Sequence, residues 1–365
     1  MKKYYVIAAL AAMFLVACNK ETSLSNVPEA EQEIAIRTLG IDTKSAINST
    51  AFPEGYDMLV SAYKNVGAHK GEDVSADYFE GIQFAKNETT WKSIKGPKYY
   101  PIDGTLDFLA VASAGIKDPS KGIVPTCVWG ESSNVAKKVV LTVPDNSVKF
   151  DDLLFASANA QGSSTSGTAM TFSHAMSSVV FVASSNVAYN AESNVGITIN
   201  SITVDGAKYS GTLTVSNPAA GGGTGDLSAA WSDLGSAQTH VSARVWAAAN
   251  TGVKTDEPAL SGLHLTTTPA PLTGDGAKPF GEAYVILPEQ AAVPFTINYT
   301  VHNGKNASGS AAQDNTVQYQ YTPASGTWQM GKKYVYNITI TLTEIQIVPT
   351  VVDWANQTPV DVQLP

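Results

Sequence analysis

The sequence predicts an all-β protein, two β-sandwich domains in tandem behind an N-terminal lipoprotein signal peptide. Three observations carry this. Apolar residues alternate with polar ones at period 2 over several long stretches, the pattern of half-buried strands. Gly, Asn, Asp and Pro punctuate those stretches at the spacing of turns. No stretch carries an apolar stripe at 3.6-residue spacing with caps, so helices are not expected. Composition agrees. The 365 residues suffice for two domains, and only 15% are charged, against roughly 25% in average proteins.

Taken in order, the chain opens on Lys2 and Lys3, a short positive segment, followed by an apolar run over residues 5–16. That run has secretory-signal length and is too short to span a bilayer. Leu15-Val16-Ala17-Cys18 resembles a bacterial lipobox. Cleavage before Cys18 would leave an N-terminal cysteine carrying acyl (palmitate) chains. The signal peptide is therefore 1–17 and the lipidated pro-segment 18–37. No later segment reaches spanning length, so the mature chain is anchored or released.

Strands follow at 58–63, 106–112 and 139–143, the last stopped by Pro144. Residues 162–168 have the composition of a flexible linker. A domain boundary falls there, giving sandwiches over 38–165 and 166–365. In the second half, 197–204 and 209–215 flank Asp205-Gly206, which predicts a hairpin with a type I′ turn. Residues 295–302 and 317–321 form another strand pair, with Asn303-Gly304 opening the loop between them. Alternation is longest over 334–343. Val360, Val362 and Leu364 then alternate with Asp361 and Gln363 after Pro359. This tail is either the ordinary last strand of the second domain or a strand available to another partner.

Few residues suggest chemistry. A formal net charge of -9 repels a phosphate backbone, which excludes nucleic acid as a partner. With Cys18 lipidated, Cys127 remains as a small buried apolar residue. The five histidines contain no His-x-x-x-His pair, and His174, beside Phe172, reads as a structural, hydrogen-bonded residue. Residues 326–333 imitate a phosphate-binding loop, but Lys333 stands where Ser or Thr must reach Mg²⁺, and a strand follows. Asp151-Asp152 and Asp256-Glu257 are adjacent pairs whose members face opposite sides of a strand. They read as solvated charge. Trp91, Trp231, Trp246 and Tyr99-Tyr100 could stack sugars, yet packing is the simpler role. The residues support no enzyme, no cofactor and no metal site.

Several motifs together resemble the fimbrillin family, the subunits of type V pili. They are the lipobox at Cys18, the pro-segment ending at Arg37, the run from Phe172 to Phe181, the run from Trp328 to Ile338, and Asp353-Trp354. The resemblance covers most of the mature chain. With it the expected fold becomes two transthyretin-like, Greek-key sandwiches. It implies a structural subunit of a cell-surface fimbrium that supports adhesion. The precursor would reach the outer membrane as a lipoprotein. An arginine-specific protease would cut after Arg37, leaving Thr38 as the new N-terminus and removing a strand that contains Ile34 and Ile36. Val360, Val362 and Leu364 would be donor-strand anchors that refill the groove of a neighbouring subunit. Partners would be other fimbrial subunits in a homopolymer, the outer membrane before cleavage, and a host or bacterial surface ligand. The chain has only two arginines, Arg37 and Arg244, which suits a single cut. The alternative is a monomeric outer-membrane surface lipoprotein that binds a glycan or host ligand and stays uncut.

Overall fold

The computed structural model describes residues 32–41, 52–65, 77–102, 104–131, 137–146, 151–217, 226–239, 263–268, 270–271, 284–305, 314–343 and 345–353. All belong to one compact unit that begins at Gln32. The described residues are all-β, as the alternation predicts, with one short helix, α1 (Ala114–Lys117).

Seven strands close into a barrel. In spatial order they are β1 (Ile36–Ile41), β4 (Thr90–Ser93), β3 (Asp77–Asn87), β2 (Asp57–Asn65), β5 (Thr105–Ser113), β8 (Leu154–Gln161) and β9 (Thr168–His174). Neighbours are antiparallel except at the closing seam, where β1 runs parallel to β9. β5 is buried on both faces. Its Leu106, Phe108, Ala110 and Ala112 fill the barrel, and its Leu109 and Val111 point outward into a second core. Two buried faces require a continuous apolar run in place of alternation, which is how 106–112 reads.

That second core lies under a four-stranded sheet with the order β13 (Ser228–Ser232), β12 (Gly211–Asn217), β7 (Lys137–Val143), β6 (Thr126–Glu131). Leu213, Val215, Val139, Leu141 and Trp129 meet Leu109, Val111 and Phe155 there. Strands from both halves of the chain therefore share one sheet, and strand pairing also crosses the linker-like segment 162–168, which lies between β8 and β9. Cys127 on β6 is half-buried, and burial pushes its thiol up to about 12. It packs with this apolar cluster, the small-hydrophobe role expected of it.

The remaining strands form two sheets around a third core. One contains β10 (Ser177–Ser185), β22 (Lys332–Ile340) and β23 (Ile345–Asp353), with β16 (Ala270–Pro271) and β17 (Tyr284–Leu287) also on β10. β10 and β22 are parallel, and β22 and β23 antiparallel. The other contains β11 (Val195–Ala207), β19 (Phe295–Asn303) and β20 (Asp314–Tyr321), with β14 (Gln238–Thr239) and β15 (Leu263–His264) on β11. Phe181, Ile199, Phe295, Tyr336 and Ile338 pack between them. The expected β19–β20 pair is present, with Ile297 opposite Tyr319. The segment imitating a phosphate loop is a turn into β22. Its short strand β21 (Thr327–Trp328) pairs with β18 (Gln290–Ala291), and buried Trp328 donates Nε1–H to the Tyr336 hydroxyl at 3.1 Å.

Two sequence expectations are corrected. Asp205-Gly206 does not turn a hairpin. β11 continues through it, and the register shift between Asp205 and Ala207, with Gly206 at φ +84°, makes it a bulge. Thr296 donates its hydroxyl to Asp205 at 2.8 Å. β12 pairs instead with β7, because Leu213 and Val215 are needed in the second core. The second correction is Asp151-Asp152, which is buried, not solvated. Asp151 accepts from the Ile123 N–H at 2.9 Å, the Gly115 N–H at 3.2 Å and the Tyr56 hydroxyl at 2.9 Å. It thereby ties β2, α1 and β8 together. The Asp152 carboxylate meets the His174 imidazole, and both side chains are buried, so His174 is the structural residue expected.

The site around Asp151 is too tight for a side chain at Gly115, whose added Cβ would lie 2.0 Å from the Ile123 carbonyl oxygen. Gly115→Ala should cost about 1–3 kcal/mol or more, read as a lower urea midpoint. Gly55→Ala, with nothing within 4 Å, should be close to neutral. Burial, outweighing the N–H donors, pushes Asp151 up to about 6. A carboxyl whose folded pKa is raised adds stability at low pH and loses it as pH rises through about 6. The stability of the wild type relative to Asp151→Asn should therefore fall by roughly 2.5 kcal/mol between pH 4 and pH 7.5, measured by urea unfolding across that range.

Candidate functional site

The closing seam of the barrel holds four of the sequence-predicted residues, Ile34, Ile36, Arg37 and Thr38. Ile34 and Ile36 are both 0% exposed and sit in the barrel core. Their neighbours in that cluster include Phe52, Trp91, Tyr100, Phe108 and Phe172. Phe52 packs between Trp91 and Phe172, with ring centroids 5.0 and 4.7 Å away. Two isoleucines at i and i+2 point to the same side of an extended chain, which the sequence pattern of 34–36 already implied.

The backbone of this segment is held from two sides. The Ile34 N–H donates to the Lys98 carbonyl at 2.6 Å, and the Tyr100 N–H donates to the Gln32 carbonyl at 2.9 Å. On the opposite side the Thr168 N–H donates to the Ala35 carbonyl at 2.8 Å. Ile36 lies opposite Trp91 on β4 and Thr168 on β9. Lys92 and Glu33 make an ion pair at the rim, with side chains 37% and 30% exposed, a position where such pairs contribute little.

The two-sided pairing ends at Arg37. From there, among the described residues, β1 pairs only with β9: Arg37 with Ala169 and Thr38 with Met170. The Arg37 side chain is exposed. The register then shifts between Thr38 and Gly40, and Leu39 is 59% exposed. The Arg37–Thr38 bond thus lies on a strand with one open edge, just past the last buried isoleucine. An extended-chain protease can add to such an edge as a further strand.

The other predicted positions are not brought to this seam by the described residues. Cys18, Val360, Val362, Leu364, Arg244 and Trp246 lie outside them, as do Asp256-Glu257. Trp91 and Tyr100 are core residues and Trp231 donates to the Ala175 carbonyl at 2.6 Å, which gives these aromatics packing and structural hydrogen-bonding roles.

One cluster was not legible in the sequence. His264 on β15 and His302 on β19 both reach the hydroxyl of Thr198, at 2.7 and 2.8 Å, and His302 Nδ1 is 2.9 Å from the Asp314 carboxylate. These residues are far apart in the chain, and only strand pairing across β11 joins them. The order Asp–His–hydroxyl imitates a nucleophilic triad, but Thr198 is 2% exposed and closed to a substrate. Burial and then the neighbouring His302 push His264 down. The network holds β15, β11, β19 and β20 in register. Among the described residues no group of His, Cys, Asp and Glu could hold a metal ion.

Comparison with known proteins follows the fold. No curated protein matches the chain. Among solved structures, a fimbrial protein from Bacteroides vulgatus matches over 88% of this chain and 99% of its own, at 13% identity and a TM-score of 0.56. A structure described as a cell adhesion protein, from Bacteroides ovatus, matches over 90% of this chain and 100% of its own, at 12% identity and a TM-score of 0.46. At these identities the first shows a shared fold and nothing finer. The family described as Fimbrillin-like matches residues 43–354, which is 312 of the 365. By that match the chain belongs to the fimbrillin-like family.

Proposed function

We propose that this protein is a structural subunit of a cell-surface fimbrium, exported as a lipoprotein through Cys18, cut after Arg37 and polymerised by strand exchange, and that the fibre supports adhesion. The observation that carries the reading is the seam: Ile34 and Ile36 fully buried, Arg37 exposed at the point where the pairing becomes one-sided. Cutting there frees a segment whose two side chains contribute about 1.5–3 kcal/mol each in the folded precursor. What remains is an apolar slot with unpaired edges on β4 and at Thr168, which favours uptake of another strand. Thr38 becomes the N-terminus and its pairing with Met170 on β9 is retained. The tail with Val360, Val362 and Leu364, supplied by another copy, refills the slot. Family membership and the fimbrial fold neighbour support the placement at the cell surface. The transthyretin-like description of the sandwiches belongs to the same reading, as does a division of the chain near residue 165, across which β9 and β12 reach back to pair with strands of the first half.

Surface-extracted wild type should begin at Thr38 by N-terminal sequencing and run as ladders that collapse only on boiling. Arg37→Ala should begin at an acylated Cys18 and give no ladder. A wild type that starts at Cys18 and runs as a monomer would establish the uncut surface lipoprotein instead. Deleting residues 358–365 should abolish the ladder while leaving the thermal unfolding of the subunit in place. Ile36→Ala should destabilise the uncut precursor by about 2–5 kcal/mol and leave the cut chain unchanged, because residue 36 departs with the pro-segment. Calorimetry of both forms distinguishes these.

A further inference from the structure

The seam also constrains which part of the tail can occupy it. Between the two buried isoleucines lies Ala35, whose side chain points to the opposite face yet is only 9% exposed. It faces Gly167. A Cβ added at Gly167 would lie 2.9 Å from the Ala35 carbonyl oxygen and 3.5 Å from the Ala35 Cβ, and Gly167 has φ +82°. The Thr168 N–H pins the same carbonyl at 2.8 Å. The strand in the slot therefore presses backbone to backbone at its middle residue, and that residue is shielded from water. Arg37, two residues on and on the same face as Ala35, departs with the pro-segment when the chain is cut. No cation of the displaced strand stays behind to pair with an incoming carboxylate.

Resting on the strand-exchange reading, we propose that a second copy of this chain seats Val362 and Leu364 in the places of Ile34 and Ile36, with Gln363 over Gly167. Val360 and Asp361 then lie outside the slot. Twelve residues follow Asp353, the end of β23, and eight of them, 354–361, serve as the span before Val362. The tail offers two aliphatic–x–aliphatic triplets, Val360-Asp361-Val362 and Val362-Gln363-Leu364. The first would press a carboxylate against the backbone at Gly167, which is far costlier than burying a neutral amide there; the second leaves Asp361 outside the slot, where the Lys92 ammonium freed by the departure of Glu33 lies at the rim. The first would also replace two isoleucines by two valines, one methylene short in each pocket. The second fills one pocket with Leu364, equal to isoleucine in carbon number, and leaves one methylene short in the other. Both considerations hold whichever way the incoming strand runs, because the middle residue of a triplet is the same in either direction.

The test is ladder formation by full-length chains cut at Arg37, scored as the fraction of polymer resistant to detergent without boiling. Gln363→Glu should lower that fraction at least tenfold at pH 7.5, with recovery towards the wild-type level near pH 4 as the new carboxyl is protonated. Asp361→Asn should leave it within twofold. A strong gain from Asp361→Asn with no effect of Gln363→Glu would overturn the assignment in favour of the other triplet. Indifference to both would overturn the shielded middle position. Wild-type chains that are cut yet never form ladders would overturn strand exchange itself, and this register with it.

Discussion

The parallel pairing of β1 with β9 is the contact on which the barrel depends. Every other neighbour in the ring is antiparallel, and without β1 the remaining six strands would form an open sheet. β1 alone bridges β4 to β9, and Ile34 and Ile36 occupy the interior where the ring meets. An open sheet has edges that can take up other chains, and closure abolishes them. A strand near the start of the chain thus decides whether the barrel is a sealed object or one with an adhesive edge. The two isoleucines are worth about 3–6 kcal/mol together, a large fraction of the 5–15 kcal/mol that typical domains have in total.

The seam separates two kinds of residue within a few positions. Residues 34–36 are buried and the chain is held on both sides there, whereas Arg37 is exposed and pairs on one side. Such an abrupt change follows from the geometry of β4, which meets β1 at one position only. Under the proposed strand exchange, the bond to be cut has to be reachable and the strand to be replaced has to be buried. Residues 34–38 meet both requirements without a loop between them.

Much of this could be read from the residues. Alternation gave β19, β20 and β22, and the apolar run gave β5. Alternation at Ile34 and Ile36 marks a strand, but its place between β4 and β9 is not in the local pattern, and the cut at Arg37 is implied by the family resemblance. What could not be read depends on contacts distant in sequence. Asp205-Gly206 has the local signature of a hairpin, but pairing of β11 with β14 and β19 turned it into a bulge. Asp151 carries the signature of a surface carboxylate, but donors from Tyr56, Gly115 and Ile123 assembled a buried place for it. His264 and His302 stand 38 positions apart and meet on Thr198. In each case the local propensity was sound and a long-range pairing outweighed it.

The sheet in which β12 joins β7 has a mechanical consequence. Its seven register pairs link residues 137–143 to 211–217, so the second half of the chain reaches back and is woven into the first. Tension applied between the seam at β1 and the strand β23 cannot separate the halves simply by straightening the short connection between β9 and β10. It must also break the pairing of β12 with β7 and drag Leu213 and Val215 out of their core. Drawing the two halves of the chain apart therefore means breaking that sheet as well.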